Sequence, residues 1–510
     1  MRQFYLLAYN GLASRIYKLV RSCYALWLFF GRHYSPIYNH IGYLHAYCFC
    51  SFAGKNVPAY KDFLKMHDFH FKLFSLTNFP ETSKENYIKA YNYVDRCLYG
   101  KLKLIGTSVD ESSGSSGTPY NWVRSREELI DIHKSTANWV RLEFPHKRLF
   151  TINAFSMGAW ATGVNTGIAL SKVGVVKSTG PDIPKIIDTI HYFGNAFEYL
   201  ITGYPPFLKH LCDAMDKLQF PWDDFFIYGM VGGEGMTEAL RHYLERRLKK
   251  VRSGYGATDI QIGIAGETNF TVWLRREILK NPELLKIFFG KDEKRIPMIF
   301  QYNPLDHYIE VNSQSELVIT VNNQSVMSPR LRYNVKDEGK VMDFSQVVDL
   351  LRRGNYDIEK LHDEFKQDLL QIPLVFLFGR KDSTISYMGA NIYPQDIEYG
   401  LYKNFAVAQH IESFCLTLEE RDDLESRPVI HVELRPAVAF DLPEKQKMID
   451  SIKIGIIEHL SQVSRDFAQS LVEDKTTAEI QIQLYEYGAG IFSHKENRIK
   501  NNYLIKGKHL

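Results

Sequence analysis

The chain has 510 residues, 45% of them apolar and 24% charged, with 62 basic against 59 acidic side chains for a formal net charge of +3. This is ordinary globular composition and excludes disordered, collagen-like and coiled-coil classes. So small a basic excess also argues against a nucleic-acid-binding domain.

Residues 1–100 read as mostly helical. Apolar and aromatic side chains recur at three- and four-residue spacing through Tyr5, Leu6, Leu12, Ile16 and Leu19. No apolar run reaches the roughly 18 residues of a membrane span. The best candidate, Ser22 to Phe30, is closed off by Arg21 and by Gly31–Arg32. No small-residue cleavage site follows it, and Cys23 and Trp27 sit badly in a signal-peptide core. It is expected to be the buried face of an N-terminal helix, and the protein to be cytoplasmic. The six cysteines (Cys23, Cys48, Cys50, Cys97, Cys212 and Cys415) are irregularly spaced. Cys48 and Cys50 are too close for the usual zinc knuckle, so buried free thiols in a reducing compartment are expected.

Beyond residue 145 the texture changes. Short apolar runs at Leu149–Phe155, Val173–Lys177, Phe225–Met230, Pro297–Gln301, Glu316–Val321 and Pro373–Phe378 are predicted strands. Helical patterns lie between them, so an α/β domain is expected. One helix is predicted over Thr237–Lys250, capped by Thr237, with Leu240, Tyr243, Leu244 and Leu248 on its buried face. Its basic residues, Arg241, Arg246, Arg247, Lys249 and Lys250, are expected on a solvated face near the C-terminus. After residue 380 the pattern becomes α+β. Val429–Leu434 and Ile480–Leu484 alternate as half-buried strands do, and Glu444–Val472 predicts one long amphipathic helix. The domain boundary is placed at Arg380–Asp382, giving a large domain of 1–380 and a small one of 381–510.

Five segments carry chemistry. Residues 111–119, Glu-Ser-Ser-Gly-Ser-Ser-Gly-Thr-Pro, read as a flexible linker, an inert surface loop or a phosphate loop. The last reading rests on closely spaced backbone N–H groups and hydroxyls without bulky side chains. No Gly-Lys-Ser/Thr follows, so it is not a Walker loop. Gly232-Gly233-Glu234-Gly235 directly follows a predicted strand, where α/β sheets place ligands. Ser253-Gly254-Tyr255-Gly256-Ala257-Thr258-Asp259 offers a ring for stacking on a base and a carboxylate for Mg²⁺. Arg332-Tyr333-Asn334-Val335-Lys336-Asp337 ends in an acid able to accept both ribose hydroxyls. Phe378-Gly379-Arg380-Lys381-Asp382-Ser383 spans the domain boundary.

In order and spacing across 110–400, this set resembles the adenylate-forming superfamily of acyl-CoA synthetases and adenylation domains. Its spelling is most similar to the phenylacetate–CoA ligase-like branch. Ser112-Ser113-Gly114-Ser115-Ser116-Gly117-Thr118-Pro119 resembles the phosphate loop. Tyr255-Gly256-Ala257-Thr258-Asp259 resembles the adenine and magnesium motif. Gly379-Arg380-Lys381-Asp382, continued by Ile385, Gly389, Ile392, Pro394, Ile397 and Glu398, resembles the hinge. Residues 1–80 carry little of the likeness; Phe79-Pro80-Glu81-Thr82-Ser83-Lys84 adds to it.

The resemblance implies a large domain of β-sheets and helices that binds ATP and the acyl substrate, plus a small mobile α+β domain carrying a catalytic lysine. The nucleotide would be held by Ser112, Ser113, Gly114, Ser115, Ser116, Gly117, Thr118, Gly233, Glu234, Tyr255, Gly256, Thr258, Asp337 and Arg380. Asp259 would meet Mg²⁺, and Asp382 would be the hinge. By position, Phe155, Trp160, Tyr204 and Gly232 would line the acyl pocket and suit an apolar or aromatic acid. The lysine is assigned to Lys500, with Lys495 and Lys506 competing. Three spellings depart from the pattern. Tyr120 stands where the loop often ends in Lys, a Lys that the phenylacetate-like branch also lacks. Asp259 replaces the usual Glu, and Val335-Lys336 replaces the usual Thr-Gly.

The implied activity is AMP-forming activation of a small-molecule carboxylic acid to an acyl-adenylate, followed by transfer to a thiol. Coenzyme A is the first expectation for the acceptor. A separate carrier protein, loaded by a stand-alone adenylating enzyme, is the alternative. A nucleotide-binding protein without catalysis is the alternative of a different class.

Overall fold

The computed structural model describes residues 2–33, 35–112, 120–144, 147–158, 161–233, 235–236, 238–291, 293, 296–323, 325–365, 369–380, 385–392, 396–397, 400–401, 407, 410–420, 426–435 and 441–493. Four helices open the chain: α1 (Arg2–Ser22), α2 (Tyr24–His33), α3 (Ser35–Asn56) and α4 (Pro58–Met66). A hairpin of β1 (Ser108–Ser112) and β2 (Tyr120–Arg124) follows. Then Ser125 and Glu128 form a reciprocal capping box that starts α5 (Arg126–Glu143).

The next elements alternate: β3 (Leu149–Asn153), α6 (Ala161–Leu170), β4 (Val175–Ser178), α7 (Ile183–Phe193), β5 (Glu198–Gly203), α8 (Pro205–Lys217), β6 (Phe226–Gly232), α9 (Glu238–Glu245), β7 (Val251–Ala257) and β8 (Gln261–Gly266). Helices α10 (Asn269–Lys280) and α11 (Pro282–Phe289) precede β9 (Met298–Gln301), β10 (His307–Val311), β11 (Glu316–Val321) and β12 (Tyr333–Met342). Helices α12 (Phe344–Arg353) and α13 (Ile358–Glu364) then lead to β13 (Leu374–Arg380). These strands form one sheet of eleven, ordered β10-β11-β12-β13-β9-β8-β7-β6-β5-β3-β4. The run β4-β3-β5-β6-β7 is parallel and the rest antiparallel. The C-terminal ends of β6 and β7 therefore deliver the Gly232 and Tyr255 segments to one edge, where parallel sheets open a crevice.

The remaining elements are β14 (Ile385–Tyr387), β15 (Ala390–Ile392), β16 (Ile411–Glu420), β17 (Ser426–Leu434), α14 (Leu442–Val463), α15 (Arg465–Glu473) and β18 (Gln481–Tyr485). They bury a core of their own, drawn from Ile385 to Ile482. The architecture is α/β, with an α+β layer at the C-terminal end.

Several expectations need correction. Helix α9 ends at Glu245, so residues 246–250 lead into β7, and Arg241 is fully buried rather than solvated. Its guanidinium donates to the Val251 carbonyl and both Glu267 oxygens and also meets Glu238. Thr237 lies outside the described residues. Strand β17 is buried on both faces, because it is the middle strand of its sheet and Tyr485 closes over His431 on the second face. The single helix expected over 444–472 is two, parted at Ser464, whose side chain caps α15. In Ser22–Phe30, Trp27 is buried but Leu26 and Phe29 are exposed. Cys23 is exposed, Cys48, Cys50, Cys97 and Cys212 are buried free thiols, and Cys415 is buried.

Candidate active site

A cleft of about 830 Å³ opens where β6, β7 and β8 end, bounded by Tyr333–Asp337 on one side and the β14–β15 hairpin on the other. Strands β7 and β8 are joined by the turn Thr258-Asp259-Ile260, and three side chains fix it. Arg124, leaving β2, donates to the carbonyls of Thr258 at 2.6 Å and Ile260 at 2.5 Å. Its charge is balanced by Asp110 and Glu128, each at 3.1 Å. Arg330 donates to the Asp259 carbonyl at 3.1 Å and lies over the Trp122 ring. The Tyr333 hydroxyl donates to Asp259 Oδ2 at 2.7 Å. The carboxylate of Asp259 is thus aimed by a buried tyrosine at the start of β12.

Tyr255 is held in the same way. Its ring stacks on Phe300 at 5.9 Å, and its hydroxyl donates to Asp337 Oδ2 at 2.5 Å. Two positions that the sequence places 82 residues apart therefore form one unit. Asp337 pairs with Arg380 in the β12–β13 register, next to a bulge at Glu338/Gly339. Just before it, Lys336 has φ +65°, the left-handed region that glycine enters without a Cβ penalty. The backbone shape expected of Thr-Gly is present although the residue is Lys. The segment at 79–84 is tied in as well: Thr82 exchanges backbone bonds with Arg332 and Asn334, and Arg332 donates to the Phe79 carbonyl.

At the other end of the cleft Tyr204 is wedged between two glycines. A Cβ on Gly233 (φ +83°) would stand 2.7 Å from its ring, and a Cβ on Gly389 (φ +79°) would stand 3.1 Å away. Phe155 packs edge-on against Tyr204 at 5.4 Å, and Gly232 lies below Phe155. Ser156 donates to Glu473 of α15 at 2.6 Å. Residues Ser386, Met388, Gly389, Asp466 and Ser470 close this side.

The structure thus brings together Gly232, Gly233, Tyr255, Gly256, Thr258, Asp259, Asp337, Phe155 and Tyr204. Ser112 and Arg380 are placed in the backbone only. Ser113, Gly114, Ser115, Ser116, Gly117, Thr118, Trp160, Glu234, Asp382, Lys495, Lys500 and Lys506 lie outside the described residues. Sequence reasoning missed Arg124, Arg330 and the inner wall of the cleft. That wall is built by Thr136, Trp139, Val140 and Phe144 near α5, by Thr162 and Thr166 of α6, and by Ser253. Trp139 packs on Gly266 at the distance of ordinary contact. The Oγ atoms of Thr136 and Ser253 are buried without a hydrogen-bond partner. Arg252 also lines the wall, but Glu143 takes its charge at 2.8 Å. The one available signal was Ser125-x-x-Glu128, which marks the start of α5 and hence Arg124 just before it.

Magnesium fits the donors present. This ion takes one or two protein carboxylates and otherwise phosphate oxygens and water, and Asp259 supplies one carboxylate. Among the described residues no group of three or more His, Cys, Asp or Glu would hold a metal unaided.

No family model and no curated protein matches the chain. Solved structures do. 2-Hydroxyisobutyryl-CoA ligase in complex with 2-HIB-AMP and CoA, in its thioesterification state, matches with TM-score 0.60 and 12% identity over 92% of this chain and 89% of that one. The same ligase in an open conformation gives 0.52 at 12% identity, covering 92% and 91%. Its postadenylation state, in complex with R3-HIB-AMP, gives 0.52 at 12% identity, covering 94% and 92%. The chain has the fold of these ligases along nine-tenths of its length.

Proposed function

We propose that the chain activates a carboxylic acid with ATP, forming an acyl-adenylate and pyrophosphate, and then passes the acyl group to a thiol, coenzyme A. The observation that carries this reading is the pair of tyrosine–carboxylate bonds in one cleft, Tyr255–Asp337 and Tyr333–Asp259. In this reading Asp337 would meet the ribose, Asp259 the magnesium and the Tyr255 ring the base.

In the first step a substrate carboxylate oxygen bonds to the α-phosphorus, and the bond to pyrophosphate breaks. Two anions meet, so charge neutralisation and positioning supply the rate. The Tyr255 face receives adenine, and Asp337 receives ribose hydroxyls on its remaining lone pairs. Backbone N–H groups and hydroxyls of 112–118 cradle the terminal phosphates. Asp259 would hold Mg²⁺, which when bound would supply charge neutralisation at the phosphate oxygens. Lys500 covers the α-phosphate. In the second step the thiolate attacks the acyl carbon and AMP leaves. The higher similarity to the thioesterification state, with Gly389 against Tyr204, supports assigning the present arrangement to that step.

Phe155, Tyr204, Trp139, Val140 and Phe144 suit an apolar or aromatic acid. The unpartnered hydroxyls of Thr136 and Ser253 favour one polar substituent on it, since a buried hydroxyl left unpaired costs about 1–3 kcal/mol. The test is ATP- and Mg²⁺-dependent pyrophosphate release over aryl, hydroxyaryl, short-chain and fatty acids, with and without coenzyme A. Acid-dependent release stimulated by coenzyme A is expected. Release that coenzyme A leaves unchanged points to a carrier protein, and ATP binding without release for any acid removes the enzymatic reading. Lys500→Ala is expected to slow adenylation by about 10²–10³-fold while sparing transfer from supplied acyl-adenylate. Equal loss in both half-reactions would remove the Lys500 assignment.

A further inference from the structure

Residues 1–61 contain seven Lys and Arg and no Asp or Glu; the first acid is Asp62. The whole chain is +3, so residues 62–510 are net acidic and the cationic excess is concentrated at one end. The same segment carries six exposed large apolar side chains among its described residues. On α1, Leu12, Ile16 and Leu19 are 61%, 52% and 66% exposed. At 100° per residue these three positions share an arc of about 60° on the helix surface. Tyr17, Val20 and Arg21 face inward and are buried, while Arg15 and Lys18 are exposed beside the stripe. Helix α2 repeats the division: Trp27 and Gly31 are buried, Leu26 and Phe29 exposed. Ile37 of α3 is exposed too.

The exposed stripe is not a frayed end. Arg21 anchors α1 through Asp131 at 3.0 Å and Asp306 at 2.8 Å, and the Tyr17 hydroxyl donates to Asp306 at 2.8 Å. The helix is held with its apolar stripe outward.

We infer that this face docks the protein onto an anionic lipid bilayer, with α1 and α2 lying in the headgroup plane. An apolar stripe bordered by Lys and Arg without acids is the pattern of helices that lie at that interface. No helix among the described residues is long and apolar enough to cross a membrane, so the face lies on the surface rather than spanning it. A second copy of the chain is a poorer occupant. A two-fold interface sets a patch against itself, and here Arg15 and Lys18 would meet their own counterparts with no acid of residues 1–61 to pair them. The inference is independent of the catalytic reading.

The test is flotation of the full chain with vesicles of phosphatidylcholine alone and of equimolar phosphatidylcholine and phosphatidylglycerol, at low and high salt. Binding to the anionic vesicles is expected, weakened by salt and weak on pure phosphatidylcholine. Leu12→Glu/Ile16→Glu/Leu19→Glu should lower partitioning by about tenfold per position. Arg15→Gln/Lys18→Gln should lower it less and flatten the salt dependence. Thermal melts unchanged from wild type, expected for exposed positions, confirm that both variants are folded. No binding to anionic vesicles, or full binding by the folded triple-Glu variant, overturns the inference. So does a wild-type dimer in light scattering that the triple-Glu substitution splits into monomers.

Discussion

Arg330 is buried against Trp122 and touches the Asp259 carbonyl, and its Nη2 has no hydrogen-bond partner. Burial, with Arg124 nearby, pushes the guanidinium down to about 9. A buried cation of this kind contributes little to stability, and apolar replacement of buried charges is often neutral or stabilising. Arg330→Met is therefore expected to keep or raise the melting temperature while lowering pyrophosphate release by about tenfold, because the Asp259 turn loses a restraint. A lower melting temperature with normal activity would assign Arg330 to structure alone. Nothing in the sequence marked this residue: it lies two positions before the recognised Arg332-Tyr333, and its partners are backbone carbonyls. Tyr255 and Asp337 were legible as chemistry but not as a pair, since 82 residues separate them. Two histidines bear on pH. Burial, helped by Arg21, holds His45 and His307 neutral, with pKa values lowered to about 4. The unfolded chain protonates them near 6.5, so their contribution is complete above that pH and is lost as pH falls from 6.5 to 4. At pH 5 the loss is about 2 kcal/mol per histidine. His307→Gln should reduce the drop in melting temperature between pH 7 and pH 5, and an unchanged drop would exclude His307 from it.

At the scale of elements, the Arg21 contacts join α1 to α5 and to the residue preceding β10. Arg21→Met leaves buried Asp131 and largely shielded Asp306 without their cation, and a loss of about 3–5 kcal/mol is expected in denaturant unfolding. A loss below 1 kcal/mol would show that the two aspartates find water or another donor. Periodicity identified α1 as a helix but not which face it buries. Tyr17 and Arg21 turn inward because they bond Asp306, a reason invisible to hydropathy. The same blindness placed Arg241 in solvent, although Glu267 and Glu238 hold it inside. Gly389 on the β14–β15 hairpin gives the element-scale test of the two-step reading. Gly389→Val puts a branched side chain at a left-handed position against Tyr204. The left-handed strain, about 1–3 kcal/mol, stays with the hairpin in both steps, whereas the clash with Tyr204 belongs to this arrangement alone. Acyl transfer to coenzyme A should slow by about tenfold or more, while adenylation is spared. Equal slowing of both steps would contradict the assignment of this arrangement to transfer.

For the whole molecule, alternating strand and helix signals announced the α/β class and placed β3, β4, β6, β9, β11 and β13 to within a few residues, but they missed β5, β7, β8, β10 and β12. They did not announce the order β10-β11-β12-β13-β9-β8-β7, which depends on long-range antiparallel pairing. The inner wall of the cleft was illegible for the same reason: Trp139 and Ser253 line one cleft only because α5 packs across β8. What the large sheet achieves is convergence. It brings the ends of β6 and β7 and the start of β12 to one cleft, which the β14–β15 hairpin closes and in which the proposed two-step reaction would run. The most direct measurement of that claim is exchange of labelled pyrophosphate into ATP, with Mg²⁺ and a hydroxyaryl acid but no thiol. It reports reversible formation of an acyl-adenylate and nothing later. Exchange that requires the acid, and that falls by about 10²-fold or more in Asp337→Ala, is the predicted result. Exchange absent for every acid tested, in a protein that binds ATP, would contradict it.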